Sequence, residues 1–265
     1  MNRIEQKMSQ LKQKNEKAFM TYMMAGLPDM EGTKRLIRAQ EASGVDVLEL
    51  GIPFSDPVAD GPVVQKASYQ SICLGTNLKK AFCMMEEIRS EGVTIPVIFR
   101  MYYNTILSCG IGAFAEKCRN AGVDGVVVPD LPLEEQEALQ KALDKEEGAI
   151  LIQLASPASS ARIPVITEHA RGFLYCISSM SDTRQDKAFG KNTAQYFREV
   201  KAVSKIPVVM GFGDGTPEDI APMQEYIDGV ASGSRLIQLL DASGYSIEAV
   251  KEYCGRYTRS LKREL

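Results

Sequence analysis

Short apolar runs alternate with longer segments of helical periodicity from one end of this 265-residue chain to the other, and few folds accommodate that alternation. Strands separated by segments with apolar positions three and four apart are joined by crossover helices, so they run parallel in a sheet covered by those helices. The candidate strands are residues 18–25 (AFMTYMMA), 45–52 (VDVLELGI), 96–102 (PVIFRMY), 125–130 (GVVVPD), 149–155 (AILIQLA), 173–179 (FLYCISS), 207–213 (PVVMGFG) and 229–234 (GVASGS). Amphipathic segments such as TKRLIRAQEA, AFCMMEEIRS, LEEQEALQKALDKE and TAQYFREVKAV fall between them. Eight βα units in unbroken order favour a closed (β/α)8 TIM barrel over an open doubly wound sheet, because closure leaves no strand edge unpaired. The expectation is one α/β domain spanning 1–265, a TIM barrel with an extra N-terminal helix. Echoes of Gly-Val-Asp at Gly44 and Gly122, and of Ile-Pro-Val at Ile95 and Ile206, suit a barrel of similar units.

Several function classes are excluded early. A net charge of −3, with basic and acidic residues interspersed, gives no electrostatic footprint for nucleic acid. The opening segment is charged and amphipathic where a signal peptide needs an apolar stretch, and no run reaches membrane-spanning length, so a cytoplasmic protein without a membrane partner is expected. The six cysteines form no C-x-x-C pair and read as reduced core or helix residues, with no metal site. His169 is the only histidine, in the polar stretch TEHARG, which leaves little room for a Ser-His-Asp or Cys-His system. Acid–base chemistry therefore falls to carboxylates, tyrosines or lysines.

In a barrel the chemistry sits where strands end and βα loops begin. The second strand runs into GIPFSDPVADGP, a loop with proline and acid contents that neither helix nor strand requires. Alternation puts Val47, Glu49 and Gly51 on one face of that strand and Leu48 and Leu50 on the other. The leucines suit packing against helices, so Glu49 projects into the barrel. There it is either a structural glutamate satisfied by neighbouring donors or, near the mouth, an acid whose pKa desolvation raises towards neutrality. Asp56 and Asp60 follow in the loop, either as solvated acids or as carboxylates fixed by the flanking prolines and glycine. Later, Gly211, Gly213 and Gly215 precede a helix start at Thr216 and Pro217, while Gly233 and Ser234 end the eighth strand. Glycine-rich loops after the last two strands, beside a helix N-terminus, suit a phosphorylated substrate. The Gly-x-Gly-x-Gly run lacks the spacing of a dinucleotide fingerprint.

The segment LELGIPFSDPVADGP resembles the signature of the tryptophan synthase α-subunit family, and the likeness continues through MMAGLPD, MYYN, VVVPDLPLEE, LIQLASPAS, FLYCISS, GFG and SGS. The resemblance implies cleavage of indole-3-glycerol phosphate to indole and glyceraldehyde 3-phosphate. In that reaction Glu49 would be the general acid/base, and Asp60 would pair with the indole N–H. It implies substrate contacts at Tyr22, Tyr102, Tyr175 and Thr183, a pocket rim at Leu131, and a phosphate held by Gly213, Gly233 and Ser234. It implies a β-subunit partner in an α2β2 heterotetramer, docked through Pro53, Phe54, Asp56, Pro57 and Pro132. Pyridoxal phosphate would belong to that partner, and the α chain itself would need no cofactor.

Two departures from the family pattern stand out. Where the sixth loop usually reads Gly-Val-Thr-Gly, this chain has Ser181, Asp182, Thr183 and Arg184, so the threonine is kept and both glycines are lost. Met24 stands where a threonine is common. Two other readings share the fold: a stand-alone lyase releasing indole, and a weakly catalytic allosteric subunit that activates a β partner. A generic sugar-phosphate isomerase would have to ignore the signature segment.

Overall fold

The computed structural model describes residues 2–177, 187–211 and 220–263. Nine parallel strands form one sheet: β1 (Ala18–Met24), β2 (Val47–Gly51), β3 (Val97–Arg100), β4 (Gly125–Val127), β5 (Ile150–Leu151), β6 (Leu154–Ala155), β7 (Leu174–Ile177), β8 (Val208–Gly211) and β9 (Gly229–Ser232). Their order, β5-β4-β3-β2-β1-β9-β8-β7-β6, begins and ends on strands that are neighbours in the chain. Residues 149–155, expected as one strand, are therefore shared between two partners. Ile152 N–H donates to Val126 O at 2.9 Å, and Gln153 O accepts from Tyr175 N–H at 3.0 Å. Adjacent residues face opposite neighbours, and the sheet closes into a barrel of eight chain segments.

Side-chain alternation divides the apolar core in two. Met20, Val47, Ile98, Val127, Phe173 and Val209 fill the barrel interior. Phe19, Leu48, Leu50, Phe99, Leu174 and Met210 pack outward against the helices. The helix Arg3–Gln13 belongs to the interior group: Ile4, Met8 and Leu11, on one face, are buried among the inward residues and plug the N-terminal end of the barrel. Burial of three such side chains is worth roughly 1.5–3 kcal/mol each. Asn2 caps this helix, accepting from Ile4 N–H, while Glu5 returns a bond to the Asn2 N–H.

The repeated motifs have a common task at that same end. Asp46 and Asp124, which close the two Gly-Val-Asp echoes, accept the amide N–H of the preceding strand: Phe19 for Asp46 (3.0 Å) and Val97 for Asp124 (2.8 Å). Asp228 does the same for Val208 at 2.7 Å. Pro96 and Pro207, from the Ile-Pro-Val echoes, each offer a carbonyl to a neighbouring strand, to Leu48 and Leu174. One expected helix is interrupted: the segment LEEQEALQKALDKE begins as a turn of 3-10 helix, Leu133–Glu135, before the helix Glu137–Glu146. Gln136 sits at the break, donating to Leu131 O and accepting from Gln153.

Candidate active site

The C-terminal end of the barrel differs from the rest of the interior in being polar. Glu49 is 1% exposed, its register partners being Tyr22 on β1 and Ile98 on β3. Its Oε2 accepts a hydrogen bond from the Tyr175 hydroxyl at 3.0 Å, and its Oε1 lies 3.4 Å from a guanidinium nitrogen of Arg100. The other terminal nitrogen of Arg100 donates to Asp60 Oδ1 at 2.9 Å, and the Tyr102 hydroxyl donates to Asp60 Oδ2 at 2.8 Å. Both carboxylates are thus joined through one arginine. The Arg100 guanidinium also lies over the Tyr22 ring, 5.8 Å from its centroid.

Local structure explains how a loop residue reaches this position. After Gly51 the chain passes through Pro53 and Pro57, with Asp60 N–H bonded to Pro57 O at 3.0 Å, and Gly61 caps the helix Pro62–Cys73. Ala59 N–H donates to the Tyr102 hydroxyl at 3.0 Å, and the Phe54 ring stacks on Tyr102 with centroids 5.1 Å apart. Ser68 holds the Phe54 backbone from both sides, accepting from its N–H and donating to its carbonyl. Gly51 has no room for a side chain, because a Cβ there would lie 2.3 Å from the Tyr22 hydroxyl.

Burial governs the electrostatics. It pushes the Glu49 carboxyl above the usual glutamate range, against the opposing pull of Arg100 and of the Tyr175 hydrogen bond. Tyr22 and Tyr175 are held well above the ordinary tyrosine value, by burial first and then by Asp60 and Glu49 respectively, so both hydroxyls remain protonated. Tyr102 is raised too, by burial and by Asp60. For Arg100 burial works against the charge, but Glu49 and Asp60 outweigh it and keep the guanidinium protonated. The arrangement supplies one carboxyl able to hold a proton in a water-poor interior and one carboxylate at the mouth with two fixed donors.

The structure brings together Glu49, Asp60, Tyr22, Tyr102 and Tyr175. Gly233 and Ser234 lie half-buried at the N-terminus of the helix Ser234–Ala242, and a Cβ on Gly233 would touch Tyr22 at 3.4 Å, so this helix end adjoins Tyr22. Thr183, Gly213 and the altered loop Ser181–Arg184 lie outside the described residues. Of the docking candidates, Asp56 and Pro132 are exposed and Pro57 is half-buried, whereas Pro53 is buried and Phe54 is committed to Tyr102. Val58, 83% exposed, is an apolar residue that this loop presents to solvent. Leu131 is buried. Met24 is buried in one apolar cluster with Tyr22, Leu27, Val64, Ala67 and Ile237.

Sequence reasoning missed Arg100. The signal was present: in PVIFRMY, Arg100 shares the parity of the inward Ile98, and an arginine on the lumen face of a barrel strand needs anionic partners. Among the described residues no group of three or more His, Cys, Asp or Glu is placed to hold a metal ion, and no helix is long and apolar enough to cross a membrane. Cys118, Cys176 and Cys254 are buried, and Cys73 and Cys83 are exposed. His169 ends the helix Ile163–His169 on the exposed surface.

The profile of the family described as "Tryptophan synthase alpha chain" matches residues 8–263. A tryptophan synthase alpha chain of Lachnospira eligens is 48% identical over 262 residues, covering 98% of this chain and 99% of that protein. Tryptophan synthase subunit alpha from Legionella pneumophila superposes with a TM-score of 0.91 at 34% identity, covering 100% of both chains. A chain of the tryptophan synthase complex from Pyrococcus furiosus superposes at 0.80 with 28% identity, covering 94% of this chain and 99% of that one.

Proposed function

The chain belongs to the tryptophan synthase alpha chain family, a lyase family of tryptophan biosynthesis that cleaves indole-3-glycerol phosphate, and from that premise we propose that Glu49 and Asp60 carry the cleavage here. The observation that supports this reading is the pair of carboxyls at the barrel mouth, one buried with a raised pKa and one fixed by Arg100 and Tyr102. Glu49 in its protonated form delivers a proton to the indole ring carbon that bears the glycerol chain. Asp60 accepts the indole N–H and offsets the positive charge that spreads over the ring. The ionised Glu49 then takes up the glycerol hydroxyl proton as the carbon–carbon bond breaks, which returns it to the acid form and releases indole and glyceraldehyde 3-phosphate.

Tyr22, Tyr102 and Tyr175 form the wall of the ring site, with Thr183 completing it from the sixth loop. The phosphate sits at Gly233 and Ser234, where a helix N-terminus offers backbone N–H groups to an anion, and Gly213 is a further contact. The chain acts as one domain and needs no cofactor of its own. A pyridoxal-phosphate β subunit docks on Asp56, Pro57 and Pro132 in an α2β2 assembly; size-exclusion chromatography with such a subunit tests this, and separate elution of the two would count against it.

The direct test is turnover of indole-3-glycerol phosphate by the purified chain, with and without a β subunit; no indole in either case removes the reading. Asp60→Asn should lose mainly kcat, since an amide cannot balance charge on the ring, and a pure KM effect would argue against that role. Ser181 and Arg184, which replace glycines of the closing loop, favour a second reading in which the chain is slow alone and accelerated by its partner. Ser181→Gly with Arg184→Gly should then raise the unpartnered rate; a fall in rate or in phosphate binding would make Arg184 a phosphate ligand.

A further inference from the structure

The titratable groups around Glu49 come from four elements: Tyr22 on β1, Arg100 with Tyr102 at the end of β3, Asp60 in the loop after β2, and Tyr175 on β7. Only Arg100 among them touches both carboxylates. Its side chain is 16% exposed, against 1% for Glu49 and 8% for Asp60, so the three charges share a space from which most water is excluded. Two anions in such a space without a cation would repel one another and be poorly solvated.

We propose that Arg100 is a positioning residue for the cleavage, the two arms of its guanidinium fixing Glu49 and Asp60 relative to each other and balancing their charge. Each carboxylate takes one donor from a tyrosine and one from the arginine, on separate oxygens. A carboxylate oxygen has two lone pairs, so Asp60 keeps acceptor capacity for an indole N–H without releasing Arg100. Among the described residues the anchors of Asp60 lie at the end of a barrel strand. Lysine at this position would keep the charge and lose the fork.

The inference rests on Glu49 and Asp60 carrying the reaction, and the experiment separates the two ideas. The pH profile of kcat/KM for indole-3-glycerol phosphate is measured for wild type, Arg100→Met and Arg100→Lys, alongside carbon-13 titration of the Glu49 carboxyl in each protein. Methionine replaces the stem without the charge, and should move the alkaline limb and the Glu49 titration to higher pH while lowering kcat roughly 10²-fold, the cost of a misplaced reacting group. Lysine should hold the limb near its wild-type position yet leave kcat low, because one ammonium cannot hold both carboxylates. A methionine variant with wild-type kcat, or with reduced kcat but an unmoved limb and titration, would overturn the proposal and leave Arg100 a structural residue. Should the methionine variant fail to fold, lysine decides alone: full wild-type kcat with an unmoved titration refutes the fork, and low kcat with an unmoved titration supports it. If wild type itself makes no indole, the reaction assignment falls, while the Glu49 titrations still decide whether Arg100 sets its charge.

Discussion

Two ends of one barrel carry buried carboxylates, and they use them differently. At the N-terminal end Asp46 and Asp124 are 2% and 3% exposed; at the C-terminal end Glu49 is 1% exposed. Burial raises the pKa of all three, so an elevated value alone does not mark a reactive group. The partners do. Asp46 and Asp124 each accept a strand amide and pair with cations, Lys262 at 3.2 Å in one case, Arg3 and Arg89 at 2.8 and 2.7 Å in the other. Among the described residues, Glu49 and Asp60 instead take side-chain hydroxyls and one shared guanidinium. A carboxylate built into the backbone ladder cannot change its proton or its position without opening the sheet. One held by side chains at a mouth can do both.

Glu49→Gln should therefore cost roughly 10²- to 10⁴-fold in kcat with the fold retained; more than a tenth of wild-type turnover would place the proton elsewhere. Asp124→Asn should do the opposite, leaving Arg3 and Arg89 without their anion, destabilising the chain by roughly 3–5 kcal/mol in denaturant titrations and sparing the kcat of molecules that remain folded. Were Asp124→Asn to lower kcat while its unfolding midpoint held, the division between the two ends would fail. The pH dependence sharpens it further. Because the folded pKa of Glu49 lies above its unfolded value, the stability this group contributes is complete below the ordinary glutamate range and is lost as pH rises through the folded value. Glu49→Gln, neutral throughout, should match wild type in acid and equal or exceed its melting temperature near neutrality. A variant that becomes relatively less stable as pH rises contradicts this sign. The smallest change, Tyr175→Phe, removes one hydrogen bond to Glu49, worth roughly 0.5–1.5 kcal/mol, and should slow turnover by no more than about tenfold. A loss as large as that of Glu49→Gln would make Tyr175 a direct participant.

Much of this was written in the sequence. Period-two alternation places Glu49 inward and Leu48 and Leu50 outward, because a strand permits only two directions. The extra N-terminal helix was expected, but that Ile4, Met8 and Leu11 on one of its faces would plug the barrel was not. What escaped was relational. Nothing within residues 149–155 tells that Ile152 and Gln153 serve different neighbours, since that depends on closure. Arg100 looks like a stray charge until Glu49 and Asp60, distant in the chain, are brought to it. Nothing near Phe54 in the chain tells that Ser68 holds its backbone and Tyr102 stacks on its ring.

The strand pairing also has a kinetic consequence. Seven of the eight sheet contacts join strands that follow one another in the chain, and only β1 with β9 joins residues about two hundred positions apart. Neighbouring units can assemble progressively at small entropic cost, but the ring is completed by a single contact whose loop-closure cost is roughly 5 kcal/mol. That contact is tight: a Cβ on Gly229 would lie 2.7 Å from the Ala18 Cβ. Substitution at Gly229 should therefore slow folding more than its effect on any local unit would suggest, as refolding kinetics would measure.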